Sequence, residues 1–238
     1  CGGRVGDAVG RGAGGAFRGP GRGLAPLPSD APAILLRQAA RFGPSTGMVG
    51  CVGDDDCGLI NLNRLRADGV DTSAIAVRRE RATGCAFVTY RPDGSRSFIY
   101  HIPNAAAGLV SPDQIDAAWL GDCRYLHVMG SSFSIPGVYE AVSKSARIVK
   151  ANGGKISFDP NIRKELMGQD ATMRGRIMEI YAQTDLLLPG LDELPLLTGE
   201  EDLEKSLGAV FKNTVIEAVA VKMASKGCLY ASRDERFE

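Results

Sequence analysis

The chain has 238 residues, long enough to bury a sizeable core, and its 28 basic and 28 acidic residues balance to no net charge. That balance excludes a chain steered by a global field to nucleic acid or to an anionic membrane surface. Six scattered cysteines without a Cys-x-x-Cys pair, and only two histidines, argue against zinc and against a disulfide framework, and point to a reducing cytoplasm. No apolar run reaches membrane-span length and no signal-peptide pattern opens the chain, so no membrane partner is expected.

Residues 1–23 contain ten glycines and four arginines, Arg4, Arg11, Arg18 and Arg22. Gly10, Gly12 and Gly15 satisfy Gly-x-Gly-x-x-Gly, but a dinucleotide fingerprint needs an apolar strand before it and a helix after it. An RNA-binding Arg/Gly tail would carry more aromatic residues than Phe17. Composition therefore predicts a flexible or aberrant segment over 1–26 and an ordered α/β core over 27–238.

Residues 34–42 read as a helix stopped by Gly43, and 47–52 as a short strand ending at Gly53. Asp54, Asp55 and Asp56 follow. They lack the alternate spacing of a calcium loop, and they suit a helix N-terminus, where acids meet the dipole and cap free amides. Leu59, Ile60, Leu62 and Leu65 carry that helix to Gly69. From Thr83 to His101 the period changes to two, around the turn Pro92-Asp93-Gly94. This hairpin, about 83–104, is the one clearly antiparallel piece expected, a small lid.

Ser111-Pro112-Asp113-Gln114 has the form of a capping box with Pro at the first helical position, predicting a helix to Leu120. Strands are predicted over 125–129, 156–158, 185–188 and 217–222, and helices over 136–151, 171–182 and 203–212, with a helical turn from Glu193 to Gly199. Helices between strands imply right-handed crossovers and a parallel sheet. At Asp159-Pro160 the ladder must stop, because Pro has no N–H and restrains its predecessor. Asn161 and Arg163 are thereby delivered beyond a strand's carboxyl end, the edge at which open α/β sheets bind ligands. Gly53-Asp54, Gly130-Ser131-Ser132, Pro189-Gly190 and residues 223–227 share that kind of position. An amide suits a sugar hydroxyl, and a guanidinium suits phosphate or carboxylate.

Val49-Gly50-Cys51-Val52-Gly53-Asp54, the lid at 83–106, Asp159-Pro160-Asn161-Ile162-Arg163, the segment 188–199 and Val221-Lys222 with Gly227 together resemble the PfkB-type carbohydrate kinases. The pattern is closest to the 2-keto-3-deoxygluconate and ketohexose (tagatose-like) branches. The resemblance covers the chain from about Leu27 onward. It implies an α/β fold of ribokinase type, a three-layer sandwich with a mostly parallel sheet and a small β lid. It also implies transfer of a phosphoryl group from ATP, with Mg²⁺, to a primary hydroxyl of a small sugar, a reaction that needs chiefly positioning and charge neutralisation. By position in the motifs, Asn161, Arg163, Asp30, Tyr90 and Tyr100 would meet the sugar, Lys222 and Gly227 the nucleotide, and Glu193 would organise Mg²⁺ through water.

Several positions depart from the family pattern. The sugar loop reads Ser29-Asp30-Ala31-Pro32-Ala33-Ile34, and Gly190 stands for an Asn. No Gly-Ala-Gly-Asp, the family's catalytic turn, occurs in the 238 residues. The expectation is a truncated relative with little turnover and no catalytic base of its own. A non-catalytic sugar-binding or interaction protein, or a nucleoside kinase of the same fold, are the other readings. Ile102, where sugar-acid kinases tend to carry Arg, favours a neutral ketose. The lid's edge suggests a homodimer. His101 reads as a lid-sheet residue and His127 as a satisfied core histidine.

Overall fold

A computed structural model describes residues 6–11, 26–29, 31–90, 96–101, 104–162 and 171–238. The chain divides into two units, Cys1–Gln114 and Ile115–Glu238.

The first unit is organised around α1 (Ala31–Arg41) and α2 (Asp56–Ala67). Ala33 and Leu36 of α1 pack with Leu62 and Leu65 of α2, against Met48, Val52, Val70 and Ile75. Met48 and Val52 are wholly buried, a contribution of roughly 1.5–3 kcal/mol for each such side chain. Arg37 and Arg41, one turn apart on α1, both bond Asp68 at the end of α2, as does Arg64. A carboxylate at a helix C-terminus opposes the dipole, and the three guanidinium groups offset that. Arg37 foremost, they hold the Asp68 carboxyl well below the usual range.

Short parallel pairs join β3 (Thr46–Gly47) to β5 (Val70–Asp71) and β4 (Gly50–Gly53) to β6 (Ile75–Arg78). The hairpin is present as β7 (Gly84–Tyr90) and β8 (Arg96–His101), paired antiparallel from Cys85↔His101 to Tyr90↔Arg96. It belongs to a four-stranded sheet with β1 (Gly6–Arg11) and β2 (Pro26–Ser29) in the order β2-β1-β7-β8. Residues 6–11 thus form a strand where composition predicted flexibility. β1 lies between β2 and β7, so its backbone groups meet a ladder on both sides whatever its side chains contribute. Pro26 and Pro28 fall on the sheet's outer strand, the place where a missing N–H is tolerated.

The acidic run is a cap, as its spacing suggested. Asp55 accepts the Gly58 amide at 2.8 Å and, through its other oxygen, the Thr83 amide at 2.7 Å. The Gly53 amide donates to Thr83 Oγ1 at 2.8 Å. A Cβ on Gly58 would come within 2.3 Å of the Gly53 carbonyl, so this approach requires glycine. Asp54 pairs with Arg79.

In the second unit, β9 (Tyr125–Met129), β10 (Lys155–Asp159), β11 (Leu186–Leu187) and β12 (Ala218–Lys222) run parallel in chain order. The helices α3 (Pro136–Ala151), α4 (Ala171–Ala182), α5 (Leu194–Thr198) and α6 (Leu203–Val210) lie between them in the chain. Leu126, Val128, Ile156, Phe158, Leu187, Val219 and Val221 share one face and are 2 % exposed or less. Val138, Ala141, Val142 and Val149, at helical spacing on α3, are buried too. Asp185 accepts the Ile156 amide at 2.7 Å and pairs with Lys150, so a buried acid starts β11.

Two expectations fail here. The hairpin is not the sole antiparallel piece: β13 (Cys228–Ser232) pairs antiparallel with β12 and β14 (Arg236–Phe237) antiparallel with β13, as β2 does with β1. Residues 223–227 are too few for a crossover, so the chain must turn back. Residues 111–120 form a 3₁₀ turn at Pro112–Gln114 rather than a helix. The Gln114 side chain does return to the Ser111 amide, at 3.0 Å, as a capping box would. It also donates to the Gly50 carbonyl at 3.1 Å and accepts from Cys51, tying the turn to β4. Among the described residues no helix is long and apolar enough to cross a membrane.

Candidate functional site

The last ladder partner of β10 is Asp159, opposite Met129. Pro160 then ends the strand, and Asn161 takes φ of +41°, a left-handed conformation that Asn tolerates better than most residues. Its amide donates to Asp159 Oδ1 at 3.1 Å, an Asx-type turn, and its side-chain amide reaches Ser131 Oγ at 3.4 Å. A Cβ on Gly130 would lie 2.3 Å from the Pro160 carbonyl, so the ends of β9 and β10 meet with no side chain between them.

Glu193 closes the arrangement from the other side. One carboxylate oxygen accepts the Ile162 amide and the other the Gly190 amide, so a single acid joins the exits of β10 and β11. Glu193 is 6 % exposed. Burial pushes its carboxyl up, the two amides pull it down, and the neighbouring Asp159 charge pushes it up again; the net direction is upward. Lys222, at the end of β12, places Nζ 2.6 Å from Asp159 Oδ2 and remains about half exposed. The sheet continues past β11 through Lys222 N to the Pro189 carbonyl, 2.8 Å, and Leu191 N to the Lys222 carbonyl, 3.0 Å. Next to it Gly227, at φ +95° and ψ −140°, accepts the Met223 amide at 2.9 Å. That backbone region is essentially confined to glycine.

Of the residues singled out in the sequence, Asn161, Glu193 and Lys222 come together around Asp159, with Gly227 one turn away. Arg163 and Asp30 lie outside the described residues, as does Ile102. Tyr90 and Tyr100 are backbone members of β7 and β8, opposite Arg96 and Ala86, and their side chains lie outside the described residues. Sequence reasoning overlooked Asp159 as the partner of Lys222 and Ser131 as the partner of Asn161; both stood in view within the motifs at two strand ends. His101 is exposed on β8, edge-on to Phe87 with ring centroids 5.6 Å apart. His127 is buried and only half satisfied. Its Nδ1 meets Ser157 Oγ at 3.1 Å, while Nε2 has no partner among the described residues.

Chemically, the described residues of this rim offer an exposed lysine, a carboxylate paired to it, a buried carboxylate and a side-chain amide. Among the described residues no three His, Cys, Asp or Glu side chains gather closely enough to hold a metal ion. Both Glu193 oxygens already serve backbone amides. That fits a magnesium ion held through its water shell rather than by direct ligation, since Mg²⁺ dehydrates reluctantly and keeps few protein ligands. Lys222 suits a phosphate oxygen.

A family model described as pfkB family carbohydrate kinase matches residues 35–238. Curated relatives include fructokinase-1 of Oryza sativa subsp. japonica, 29 % identical over 209 residues, or 88 % of this chain and 65 % of the relative. Fructokinase-1 of Zea mays is 28 % identical over 207 residues, 87 % of this chain and 64 % of the relative. The chain thus spans less than two thirds of the length of these relatives. A candidate ribokinase II from E. coli, solved in complex with ATP and Mg²⁺, is 41 % identical with a TM-score of 0.93, covering 99 % of this chain and 75 % of that one. A PfkB protein from Polaromonas sp. JS666 is 26 % identical with a TM-score of 0.87, covering 99 % and 79 %.

Proposed function

Because the chain belongs to the pfkB family of carbohydrate kinases and has the ribokinase-like α/β fold, we propose that it serves phosphoryl transfer from ATP, with Mg²⁺, to a primary hydroxyl of a small sugar. The observation that carries this reading is the rim at the ends of β10, β11 and β12. There one buried acid, Glu193, holds the backbone amides of Ile162 and Gly190 near a Lys222–Asp159 pair whose lysine is half exposed. Asn161 would bond a sugar hydroxyl with its amide, and Arg163 would meet the transferred phosphate. Lys222 would steady nucleotide phosphates, beside a turn at Gly227 whose conformation leaves room for close backbone approach. Glu193 would orient the water shell of Mg²⁺, which when bound neutralises charge on the phosphates. The sequence motifs also assign Asp30, Tyr90 and Tyr100 to sugar binding in this proposal.

For the acceptor we favour a neutral ketohexose. The curated relatives are fructokinases by name, and Ile102 stands where an arginine would serve a sugar acid. Action in the cytoplasm and pairing of two copies through the lid belong to the same reading. A second reading rests on the lack of any Gly-Ala-Gly-Asp in the 238 residues: the chain binds sugar and nucleotide but turns over slowly. Melting curves with fructose, tagatose and 2-keto-3-deoxygluconate, each with and without Mg-ATP, run beside an ADP-release assay, test both. Stabilisation by a ketose together with ADP release supports the kinase reading, and stabilisation without release supports binding alone. A folded chain whose melting ignores every sugar and ATP overturns both.

A further inference from the structure

Cys57 is the second residue of α2 and Cys85 the second residue of β7, 28 positions apart in the chain. Their Sγ atoms lie 3.9 Å apart. The surroundings hold these two backbones in place. Asp55 caps the turn that contains Cys57 and also accepts the Thr83 amide, two residues before Cys85. The Gly53 amide bonds Thr83 Oγ1, and the glycines at 53 and 58 allow the close approach. Closing 3.9 Å to the ~2.05 Å of a disulfide draws the two sulfurs together by about 1.9 Å, between backbones already tied to each other through Asp55 and Thr83.

We propose that Cys57 and Cys85 form a reversible dithiol–disulfide modification site that locks the first turn of α2 to the first strand of the lid hairpin. The oxidant is a low-molecular-weight disulfide such as glutathione disulfide. A thiolate of the pair attacks one of its sulfurs, forming a mixed disulfide and expelling one glutathione thiolate. The second thiolate of the pair then attacks the protein sulfur of that mixed disulfide and expels the other glutathione. The two cysteines lose two electrons and two protons, and glutathione disulfide becomes two glutathione thiols. Cys51 does not compete: it is buried, its thiol donates to Gln114 Oε1 at 3.3 Å, and burial pushes that thiol's pKa up. The site asks nothing of the kinase reading.

The full chain is equilibrated in mixtures of reduced and oxidised glutathione, alkylated, digested and analysed by mass spectrometry. The expected result is a Cys57–Cys85 cross-linked peptide, with the melting temperature about 5–10 °C higher and returned to its starting value by dithiothreitol. In Cys85→Ser, Cys57 should carry a glutathione adduct with no rise in melting temperature. Cys57→Ser gives the reciprocal control, and the wild-type cross-link decides the matter even where a variant does not fold. If exposed Cys228 becomes glutathionylated while Cys57 and Cys85 stay alkylatable, or take up separate adducts, the proposal is overturned.

Discussion

Glu193 is the acid on which the rim's geometry depends, and its removal has a cost that can be worked out. In Glu193→Ala the Ile162 and Gly190 amides lose their acceptor together. A buried donor left unsatisfied costs about 1–3 kcal/mol, so the pair comes to about 2–6 kcal/mol. Against this stands the burden of keeping a charge buried, evident in the upward-shifted carboxyl, which alanine relieves. A net loss of about 2–4 kcal/mol is expected, read by urea unfolding followed by circular dichroism. Glu193→Gln keeps the volume and one acceptor oxygen but turns an NH₂ toward the other amide, so about half that loss should follow. The two variants should also differ from the parent in pH dependence. Because the folded carboxyl titrates above its unfolded value of 4.5, the native state takes up the proton first. This group's contribution therefore rises as pH falls through the folded value toward 4.5, opposite to that of an ordinary paired carboxylate. That rise should vanish in both variants. A Glu193→Ala protein with unchanged urea midpoint and slope would refute the reasoning, since two orphaned amides cannot be that cheap.

Gly130→Ala should destabilise by about 1–3 kcal/mol, because its Cβ meets the Pro160 backbone carbonyl and not a side chain that can move; urea unfolding reads it, and a neutral result would mean that β9 and β10 do not meet as described. Lys222→Met should change stability by no more than about 1 kcal/mol, since the lysine of the pair with Asp159 is half exposed, while ATP affinity measured by calorimetry falls at least tenfold. Burial holds the His127 imidazole down at about 4 against an ordinary 6.5, so it is neutral in the fold. The unfolded chain then binds its proton first as pH falls below 6.5, and about 2 kcal/mol of stability should be lost between pH 7.5 and 5, a slope that flattens in His127→Leu.

Much of the second unit was legible because burial there is periodic. The buried positions of α3 recur every three or four residues, and β9, β10 and α4 lie where their patterns predicted. What was not legible depended on partners distant in the chain. β1 is glycine-rich and carries no periodic signal; two neighbouring strands supply its ladder. The helix predicted after Ser111 yields because Gln114 spends its amide on β4, 64 residues back. The site divides in the same way. Asp159, Pro160 and Asn161 advertise the end of a strand by their own chemistry. Glu193 is announced locally only as an acid beside a helical turn, and one of its two amides comes from 31 residues away.

The rim also shows why a non-glycine residue is held at positive φ. Asn161 in the left-handed region costs about 1–3 kcal/mol, and such a residue persists only where its surroundings over-determine it. Three interactions do so here: Asp159 takes its amide, Ser131 meets its side chain, and Glu193 takes the next amide along. Each partner comes from the end of a different parallel strand, or from the residues just beyond it. The strain is therefore borne by the whole carboxyl edge of the sheet rather than by the loop itself. A glycine at 161 would relieve the strain but remove the side-chain amide placed there. An alanine would keep most of the strain and lose the contact with Ser131. Asparagine alone among these three satisfies the turn while presenting a donor and an acceptor at the end of the sheet, the property that a hydroxyl-bearing ligand would use.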